Sequence, residues 1–447
     1  MKIKLISPKM SLRPMDSEYK RRLSPSLSLV TLASIIKNDH EVYIEDENTR
    51  KVNFSDSPDL VGITANVDTS KRAYEIAKIY KKKEIPTIIG GIHASANPDE
   101  ALQYADSVCI GEAEELIVLI LDDLKKNKLK KIYFNEAPTD PKNIPIPDWS
   151  LIDKKNYLYT NIICSSRGCP FKCDFCYNSS RFVHRKYRNR PIPTLIKEVE
   201  RMDMKQAMFI DDNFIGNPEH AIALVKELKK LNIRWHAAVS TNLVYMPKLM
   251  DLMQESGCKS LFIGFESINQ DSIKAVNKKQ NKIELYEKLI KELHSRGIMV
   301  NASLVFGFDS DGPEVFRNTL DWLVKNKIET MTAHILTPYP GTVLYEKMFS
   351  NKRIKDTDTR HYNTANVVFR PKNMTEEELK AGYLWIYNQF YSFRNIINRL
   401  PEEKSLKLPF LLFNLGYRKF GKFTSILGKL GLMSKIGKLG SKLSYNI

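Results

Sequence analysis

One short stretch decides how the whole chain is interpreted: RGCPFKCDFC, at residues 167–176. Its cysteines follow the spacing CxxxCxxC, which puts Cys169, Cys173 and Cys176 on a single tight loop. Three thiolates on such a loop can bind three irons of a 4Fe-4S cluster and leave the fourth iron without a protein ligand. The spacing therefore predicts an iron-sulfur cluster with one open, reactive iron.

Two other metal sites also use closely spaced cysteines, and both need more than this loop offers. A structural zinc site takes four ligands, and a ferredoxin cluster takes a fourth cysteine. The other cysteines, Cys109, Cys164 and Cys258, lie outside the spacing and are interpreted as small buried apolar residues. The open cluster is therefore preferred to either alternative.

Cysteine usage and the N-terminal sequence indicate the compartment. Six cysteines in 447 residues do not form a disulfide framework, and the start MKIKLISPKM lacks the apolar core of a signal peptide. The sequence has no run of about 18 apolar residues, so a membrane-spanning helix is not expected. A cytoplasmic protein is predicted.

Strand-like apolar runs alternate with helical patterns on both sides of the cysteine loop. The runs lie at residues 3–6, 42–44, 60–64, 87–89 and 108–110, and then at 162, 208–210, 235–239, 260–265, 300–306 and 331–336. The first set predicts an α/β domain with a doubly wound, Rossmann-like sheet over residues 1–135, and the six later repeats predict a partial barrel over 151–370. Residues 136–150 hold four prolines and are predicted to be a linker, while 371–447 are predicted to be helical.

The strand ends of the first domain are rich in small residues. Ligands of doubly wound sheets bind beyond the carboxyl ends of the strands. Six residues at these ends are predicted to contact a ligand: Thr64, Gly90, Gly91, His93, Gly111 and Glu112. The sequence therefore predicts that a flat cofactor lies across this edge of the sheet.

The cysteine loop, with the aromatic Phe175 directly before its third cysteine, closely resembles the signature of radical S-adenosylmethionine (SAM) enzymes. The resemblance implies that Cys169, Cys173 and Cys176 hold the cluster, that Phe175 contacts the cofactors, and that the amino and carboxylate groups of SAM chelate the fourth iron. Reduction, with flavodoxin or ferredoxin as electron donor, would then cleave SAM to a 5′-deoxyadenosyl radical. The chain is expected to be an enzyme of this class.

Two later strand ends match positions where that family binds SAM. Asp211, Asp212 and Asn213 follow the second strand of the predicted barrel and would receive the amino group of SAM or the neighbouring substrate. Glu266 and Ser267 end another strand at the ribose position. Carboxylates accept hydrogen bonds from ammonium and hydroxyl groups, although such residues also cap helices.

The first domain resembles the cobalamin-binding module that precedes the radical core in one large subgroup. The layout is similar to that of hopanoid C-2 methylases and anaerobic magnesium-protoporphyrin cyclases, including the sequence RPKNMT at 370–375. Modules that ligate cobalt from below carry DxHxxG after the first strand, whereas residues 7–14 read SPKMSLRP. Cobalamin would therefore rest on backbone and small-residue contacts, and a cofactor-free domain is the alternative. His93 is interpreted as a corrin contact or structural residue rather than a cobalt ligand, and His184 as a loop residue or substrate contact.

This layout implies radical methylation of an unactivated carbon. The deoxyadenosyl radical would remove hydrogen from the substrate, the substrate radical would take a methyl group from methylcobalamin, and residues 337–342 would close the substrate side. Two alternatives stay open. A related radical enzyme could cyclise, oxidise or couple carbons without methyl transfer, and a cluster- or corrin-based sensor would be no enzyme at all but would need an output module.

The positive charge of the chain is concentrated at its end. The net charge is +17, and residues 404–447 carry nine Lys or Arg and no Asp or Glu. Here Phe420, Phe423, Leu427 and Leu430 recur among lysines at helical spacing, which is typical of a basic amphipathic helix. The pattern predicts either a peripheral contact with the inner membrane surface and a lipid-like or other apolar small-molecule substrate, or a helix that packs on the barrel. No nucleic-acid partner is expected.

Overall fold

The computed structural model describes residues 1–14, 16, 18–180, 183, 186–202, 204–419 and 430–445. Two predictions fall outside these residues: the role of His184, and the part of the basic tail that contains Phe420, Phe423 and Leu427. Two parallel six-stranded sheets organise the described chain.

The first sheet has the strand order β2-β1-β3-β4-β5-β6. Its strands are β1 Lys2–Ser7, β2 Glu41–Asp46, β3 Leu60–Thr64, β4 Thr87–Gly90, β5 Ser107–Ile110 and β6 Ile132–Phe134. The accompanying helices are α1 Glu18–Arg21, α2 Leu27–Ile36, α3 Ser70–Lys81, α4 Ile92–Ala96, α5 Pro98–Leu102 and α6 Leu116–Lys125. Separate hydrophobic cores cover the two faces of the sheet, which is why its central strands are continuous apolar runs. The predicted doubly wound fold is confirmed.

The sequence does not predict β6. This strand has only three residues, and its outer side chains, Ile132 and Phe134, are exposed. It extends the sheet only by pairing with β5.

The second sheet has the order β14-β13-β12-β11-β10-β7. Its strands are β7 Ile162–Ile163, β10 Gln206–Phe209, β11 Arg234–Val239, β12 Cys258–Glu266, β13 Met299–Phe306 and β14 Thr330–Ile335. The helices that follow or separate them are α7 Ile192–Glu200, α8 Pro218–Lys230, α9 Pro247–Glu255, α10 Gln270–Ala275, α11 Tyr286–His294, α12 Val315–Lys325 and α13 Val343–Ser350. This is the predicted partial barrel. A short antiparallel ribbon, β8 Ser166–Arg167 with β9 Arg188–Asn189, follows β7 and carries the cysteine loop.

The C-terminal region is helical, as predicted. It contains α14 Glu376–Phe390, α15 Phe393–Asn398, α16 Lys404–Lys419 and α17 Met433–Tyr445. The hydroxyls of Tyr387 and Tyr391 dock α14 on β14, since they accept from the backbone N–H groups of Ala333 and Met331 at 2.9 and 3.2 Å. α14 therefore closes one side of the barrel.

The basic tail is partly packed on the protein. On α16, Leu406, Phe410 and Asn414 are buried, and Asn414 Nδ2 donates to the Glu329 carbonyl at 3.0 Å. α16 thus packs on the barrel, whereas α17 packs on α16 and on residues 154–156, and Leu408 on α16 stays exposed. Among the described residues, no helix combines the length and the hydropathy needed to cross a bilayer.

Candidate active site

A cavity of about 560 Å³ lies between the carboxyl ends of the first sheet and the cysteine loop. Eight of the predicted site residues line it: Thr64, Gly90, Gly91, Gly111, Glu112, Phe175, Cys176 and Asp212. Five of these belong to the first domain and three to the barrel. The strand ends of both sheets therefore build one site.

The cysteine loop is held by the segment that follows α10. The Asp174 N–H donates to the Val276 carbonyl at 3.0 Å, and Gln280 Nε2 lies 3.6 Å from Cys173 Sγ. Burial raises the pKa of Cys169 to about 11 and that of Cys176 to about 12. As free thiols these groups would stay protonated at neutral pH, whereas a bound metal deprotonates a coordinating thiol. Metal binding would therefore have to displace a proton from each of these thiols.

The cysteines do not converge on one point. Within the part of the chain that the structure describes, no three His, Cys, Asp or Glu side chains are close enough to share a single metal ion. A zinc ion needs such convergence, whereas each cysteine of a 4Fe-4S cluster binds a different iron. The cluster interpretation is compatible with this arrangement and continues to rest on the CxxxCxxC spacing.

The three polar residues after β10 have different environments. Asp211 is buried, and its carboxylate accepts hydrogen bonds from Ser165 N at 3.1 Å, from Ser165 Oγ at 2.8 Å and from the hydroxyl of Ser166. Asp212 lines the cavity, and burial raises its pKa. Asn213 Oδ1 accepts from the backbone just after β11 at 3.3 Å. Of the three, Asp212 reaches the cavity, while Asp211 fixes the start of the cysteine loop.

Glu266 forms a buried ion pair beside this loop. It ends β12 with φ of 63°, and its Oε1 accepts from Lys278 Nζ at 2.7 Å. Burial alone would lower the pKa of Lys278, but Glu266 and Cys173 raise it above its ordinary value, so the amine stays charged. The neighbouring Ser267 uses its hydroxyl to accept from Asn269 N at 3.0 Å, which shapes the turn into α10. Glu266 thus lies next to the cluster loop, and Ser267 is engaged locally.

The first domain contributes glycines to the wall of the cavity, and the exposed backbone of this wall fits a flat ligand. At Gly91, which has φ of +97°, internal packing also requires glycine, because a Cβ would lie 2.8 Å from both the N and the O of Ala65. Gly111 also has a positive φ, of 81°. Four apolar side chains also line the cavity: Leu29, Leu32, Ile117 and Ile120. Bare backbone and apolar walls fit cobalamin held without a protein histidine.

Two predicted residues of the first domain lie close to charged side chains. His93 is fully buried and does not line the cavity, and its Nε2 lies 3.4 Å from Glu100 Oε2. The structural interpretation of His93 fits this position. Glu112 lines the cavity, but its carboxylate accepts hydrogen bonds from Arg188 at 2.7 and 3.0 Å.

Sequence reasoning missed two residues near the loop, Tyr177 and Lys278. Tyr177 stacks on Tyr339, which belongs to the predicted 337–342 segment, with ring centroids 5.1 Å apart and planes at 8°. Both rings line the cavity. The Tyr177 hydroxyl is buried and has no hydrogen-bond partner among the described residues. Its position next to Cys176 was the available signal, whereas no local pattern marks Lys278.

Comparison with known proteins agrees with this arrangement. Residues 163–323 match the family model of the radical SAM superfamily, and residues 23–121 match that of the B12 binding domain. The chain is 30% identical over 390 residues to bacteriochlorophyllide d C-12(1)-methyltransferase of Chlorobaculum tepidum, covering 85% of each protein. It is 26% identical over 355 residues to hopanoid C-2 methylase of Rhodopseudomonas palustris, covering 76% of this chain and 67% of that protein.

Solved structures share the fold. The cobalamin-dependent SAM radical enzyme OxsB, with aqua-cobalamin and SAM bound, superposes with a TM-score of 0.66 at 16% identity, over 97% of this chain and 75% of that chain. This chain is therefore a radical SAM enzyme that carries a B12-binding domain. It belongs to the family of cobalamin-dependent radical SAM enzymes related to methyltransferases, whose cofactors are a 4Fe-4S cluster, SAM and cobalamin. The resemblance to hopanoid C-2 methylases and magnesium-protoporphyrin cyclases is confirmed.

Proposed function

We propose that this enzyme methylates an unactivated carbon of an apolar, lipid-like small molecule. The observation that carries the proposal is one cavity lined both by the glycine-rich strand ends of the B12-binding domain and by the cysteine loop. When bound, the cluster and SAM supply radical chemistry and cobalamin supplies a transferable methyl group. A substrate in this cavity would contact both domains.

The chain's own residues would bind the cofactors, orient them and shield the reacting groups from water. Cys169, Cys173 and Cys176 would hold the cluster, and Asp212 would accept hydrogen bonds from the ammonium group of SAM. Glu266, fixed by its ion pair, would lie at the ribose side. The glycine-lined strand ends would support the corrin, and the apolar walls would exclude water from the reacting groups.

An apolar substrate is supported by the relatives and by the cavity wall. The relatives methylate, as their names state, a bacteriochlorophyllide and a hopanoid, and both are large polycyclic molecules. In this chain the stacked Tyr177 and Tyr339 offer a flat apolar surface. The buried hydroxyl of Tyr177, which lacks a partner among the described residues, could bind one polar group of the substrate.

We also propose that the C-terminal helices rest on an anionic membrane surface, from which such a substrate would be taken. Leu408 on α16 and Leu439 on α17 are 50% and 57% exposed. Lysines accompany them on both helices, and residues 404–447 contain no Asp or Glu. Apolar side chains among basic ones are typical of helices that lie in a membrane interface.

Anaerobically purified protein tests the radical assignment. The wild type should hold a 4Fe-4S cluster and a corrin, and should form 5′-deoxyadenosine from SAM and a reductant. Cys173→Ala should lose iron and deoxyadenosine formation, because a cluster ligand is gone. Cys258→Ala, which changes a buried cysteine of the barrel core, should keep both. An intact cluster that forms no deoxyadenosine would contradict the assignment.

Isotope transfer tests the methylation. The enzyme is incubated with SAM labelled on its methyl group and a total lipid extract from cells that lack the protein. We expect the label to appear in a lipid-soluble product. A new product without label would instead favour cyclisation, oxidation or carbon coupling, and protein without corrin absorbance would favour the cofactor-free domain.

A further inference from the structure

The ribbon that carries the cysteine loop places two arginines opposite each other. Its strands β8 and β9 enclose residues 168–187, which include all three predicted cluster cysteines, and in its antiparallel register Arg167 pairs with Arg188. Each strand has only two residues, and like charges directly opposite one another destabilise a sheet. The ribbon therefore depends on opposite charges from elsewhere.

Those charges come from the B12-binding domain. Arg188 Nη2 and Nη1 donate to Glu112 Oε1 and Oε2 at 2.7 and 3.0 Å. Arg167 Nη2 donates to Glu114 Oε1 at 2.6 Å. Both glutamates follow β5, within residues 111–114. We call these two ion pairs the clasp. A two-bond arginine-carboxylate contact fixes geometry as well as charge.

The clasp is shielded from solvent and tied to the linker. The side chains of Arg188 and Glu112 are 13% and 16% exposed, and those of Arg167 and Glu114 are 25% and 7% exposed. Thr139, in the linker, donates its N–H to Glu112 at 2.9 Å and accepts from Arg188 with its carbonyl. Partly buried pairs are screened less by salt than surface pairs, so the clasp can transmit position between the domains.

The clasp also borders the cofactor cavity. Gly111, Glu112 and Glu114 line this cavity together with Arg167 and Gly168. A ligand that rests on Gly111 therefore contacts the same short segment whose glutamates hold the ribbon. Only one residue, Gly168, separates the ribbon from the first cysteine of the loop.

We infer that the clasp couples the two cofactor sites. A corrin held by the B12-binding domain fixes residues 111–114, Glu112 and Glu114 then fix the ribbon, and the ribbon stabilises the cluster loop. Arg167 and Arg188 act as positioning residues. By linkage, this coupling is reciprocal: the factor by which bound corrin raises the affinity of the loop for the cluster equals the factor by which an assembled cluster raises the affinity for corrin. For typical couplings this factor is roughly 5- to 150-fold. The inference rests on the proposed cluster ligands and corrin site.

The rate of iron loss tests this coupling. Reconstituted wild type is mixed anaerobically with an excess of iron chelator, with and without bound hydroxocobalamin. We expect the corrin to slow iron release several-fold, because it stabilises the loop. Glu112→Gln with Glu114→Gln removes both negative charges with little change in size. Once it is loaded to the same iron content as the wild type and its absorbance shows that it holds hydroxocobalamin, this double variant should release iron at one rate, whether or not corrin is bound.

A neighbouring residue provides the matched control. Glu115 is exposed and accepts hydrogen bonds from Asn135 and Asn143 instead of the ribbon. Glu115→Gln should therefore keep the wild-type response to hydroxocobalamin.

Several outcomes would overturn the inference. One is a corrin effect that persists in the double variant, and another is a wild type that holds both cofactors but releases iron at the same rate with and without corrin. If the double variant assembles no cluster, the single variant Glu114→Gln is tested by hydrogen exchange over residues 163–180. If corrin protects this segment from exchange as strongly in the variant as in the wild type, the coupling is refuted. A wild type that binds no iron or no corrin, detected before chelator is added, would refute the proposed function and the inference together.

Discussion

Glu266 and Lys278 lie twelve positions apart in the chain but form a buried ion pair with Oε1 and Nζ 2.7 Å apart. Removing one partner of such a pair leaves an uncompensated buried charge, whereas replacing both partners is much less costly. We expect Lys278→Met to lower the free energy of unfolding by about 3–5 kcal/mol. The double variant Glu266→Gln with Lys278→Met should recover most of this loss. Denaturant unfolding under anaerobic conditions measures both changes.

The pKa of Lys278 sets the pH range of this prediction. The pKa of Lys278 is raised in the folded chain. The contribution of the ion pair to the free energy of unfolding is therefore fully present below the ordinary lysine pKa of about 10.4, and it is lost only as pH rises through the pKa of Lys278 in the folded chain. The cost of Lys278→Met should therefore be the same at pH 7 and pH 9. A cost that disappears by pH 9 would mean that the ion pair is not its source.

Individual site residues differ in how well the sequence predicts them. Asp212 and the strand-end glycines could be predicted to reach the cavity, because strand ends are local signals. Lys278 and Arg188 could not, because no local pattern marks them and their partners lie 12 and 76 positions away. Asp211 is a third case: the motif identifies its position, but its carboxylate bonds to two serines that precede the cysteine loop.

At the scale of elements, α14 carries a glycine where a helix would favour alanine. A Cβ on Gly382 would lie 2.0 Å from Phe316 Cε2 on α12. Glycine inside a helix costs about 1 kcal/mol relative to alanine, so the close approach of α12 to α14 explains its presence. We expect Gly382→Ala to lower the free energy of unfolding by about 1–3 kcal/mol through overpacking, despite the better helix propensity. Denaturant unfolding measures the difference.

A variant of the neighbouring residue distinguishes the effect of packing from the effect of helix propensity. Ala381 is exposed on the same helix, so Ala381→Gly should cost about 1 kcal/mol from propensity alone. Adding Phe316→Leu to Gly382→Ala should restore part of the loss, because it makes room for the new methyl group. A Gly382→Ala variant more stable than the wild type would show that helix contact does not require glycine here.

Helices and strands were predicted correctly where the pattern of apolar residues extends over enough positions to show a period. The apolar runs that became β3 and β13 are buried between neighbouring strands of their sheets and were predicted from sequence. The ribbon β8–β9 and the edge strand β6 were not, because two- or three-residue strands carry no periodic signal. Their structure comes from their partners: β6 pairs with β5, and β8 pairs with β9.

At the scale of the whole molecule, the sequence does not predict the individual contacts that join the two domains. Asn97 Nδ2 donates to the Pro340 carbonyl at 3.2 Å, across the domain boundary. Beside it, Gly341 has φ of +85°, and a Cβ there would lie 2.8 Å from Ala96 Cβ. Arg13, from the segment after β1, reaches Thr364 Oγ1 at 3.4 Å. Such contacts depend on both folded domains, so neither domain's local pattern predicts them.

The proposed membrane surface also concerns the whole molecule. On α16, Leu408 and Leu412 are 50% and 37% exposed, whereas Leu406 and Phe410 are buried against the protein. We expect the protein to sediment with vesicles that contain phosphatidylglycerol and to bind less as salt is added, because salt screens exposed lysines. Leu408→Gln with Leu412→Gln should weaken this binding about tenfold or more, since each leucine would no longer bury its side chain in lipid.

Exposed apolar side chains on another helix make this prediction specific to α16. Val118 and Leu119 on α6 are 51% and 42% exposed, so Val118→Gln with Leu119→Gln removes a similar apolar area from another surface. That variant should bind vesicles as the wild type does. Both double variants should unfold within about 0.5 kcal/mol per substitution of the wild type, because exposed positions contribute little to stability. If the two variants lost vesicle binding equally, the interaction would be a general effect of surface hydropathy, and the C-terminal helices would not be the membrane contact.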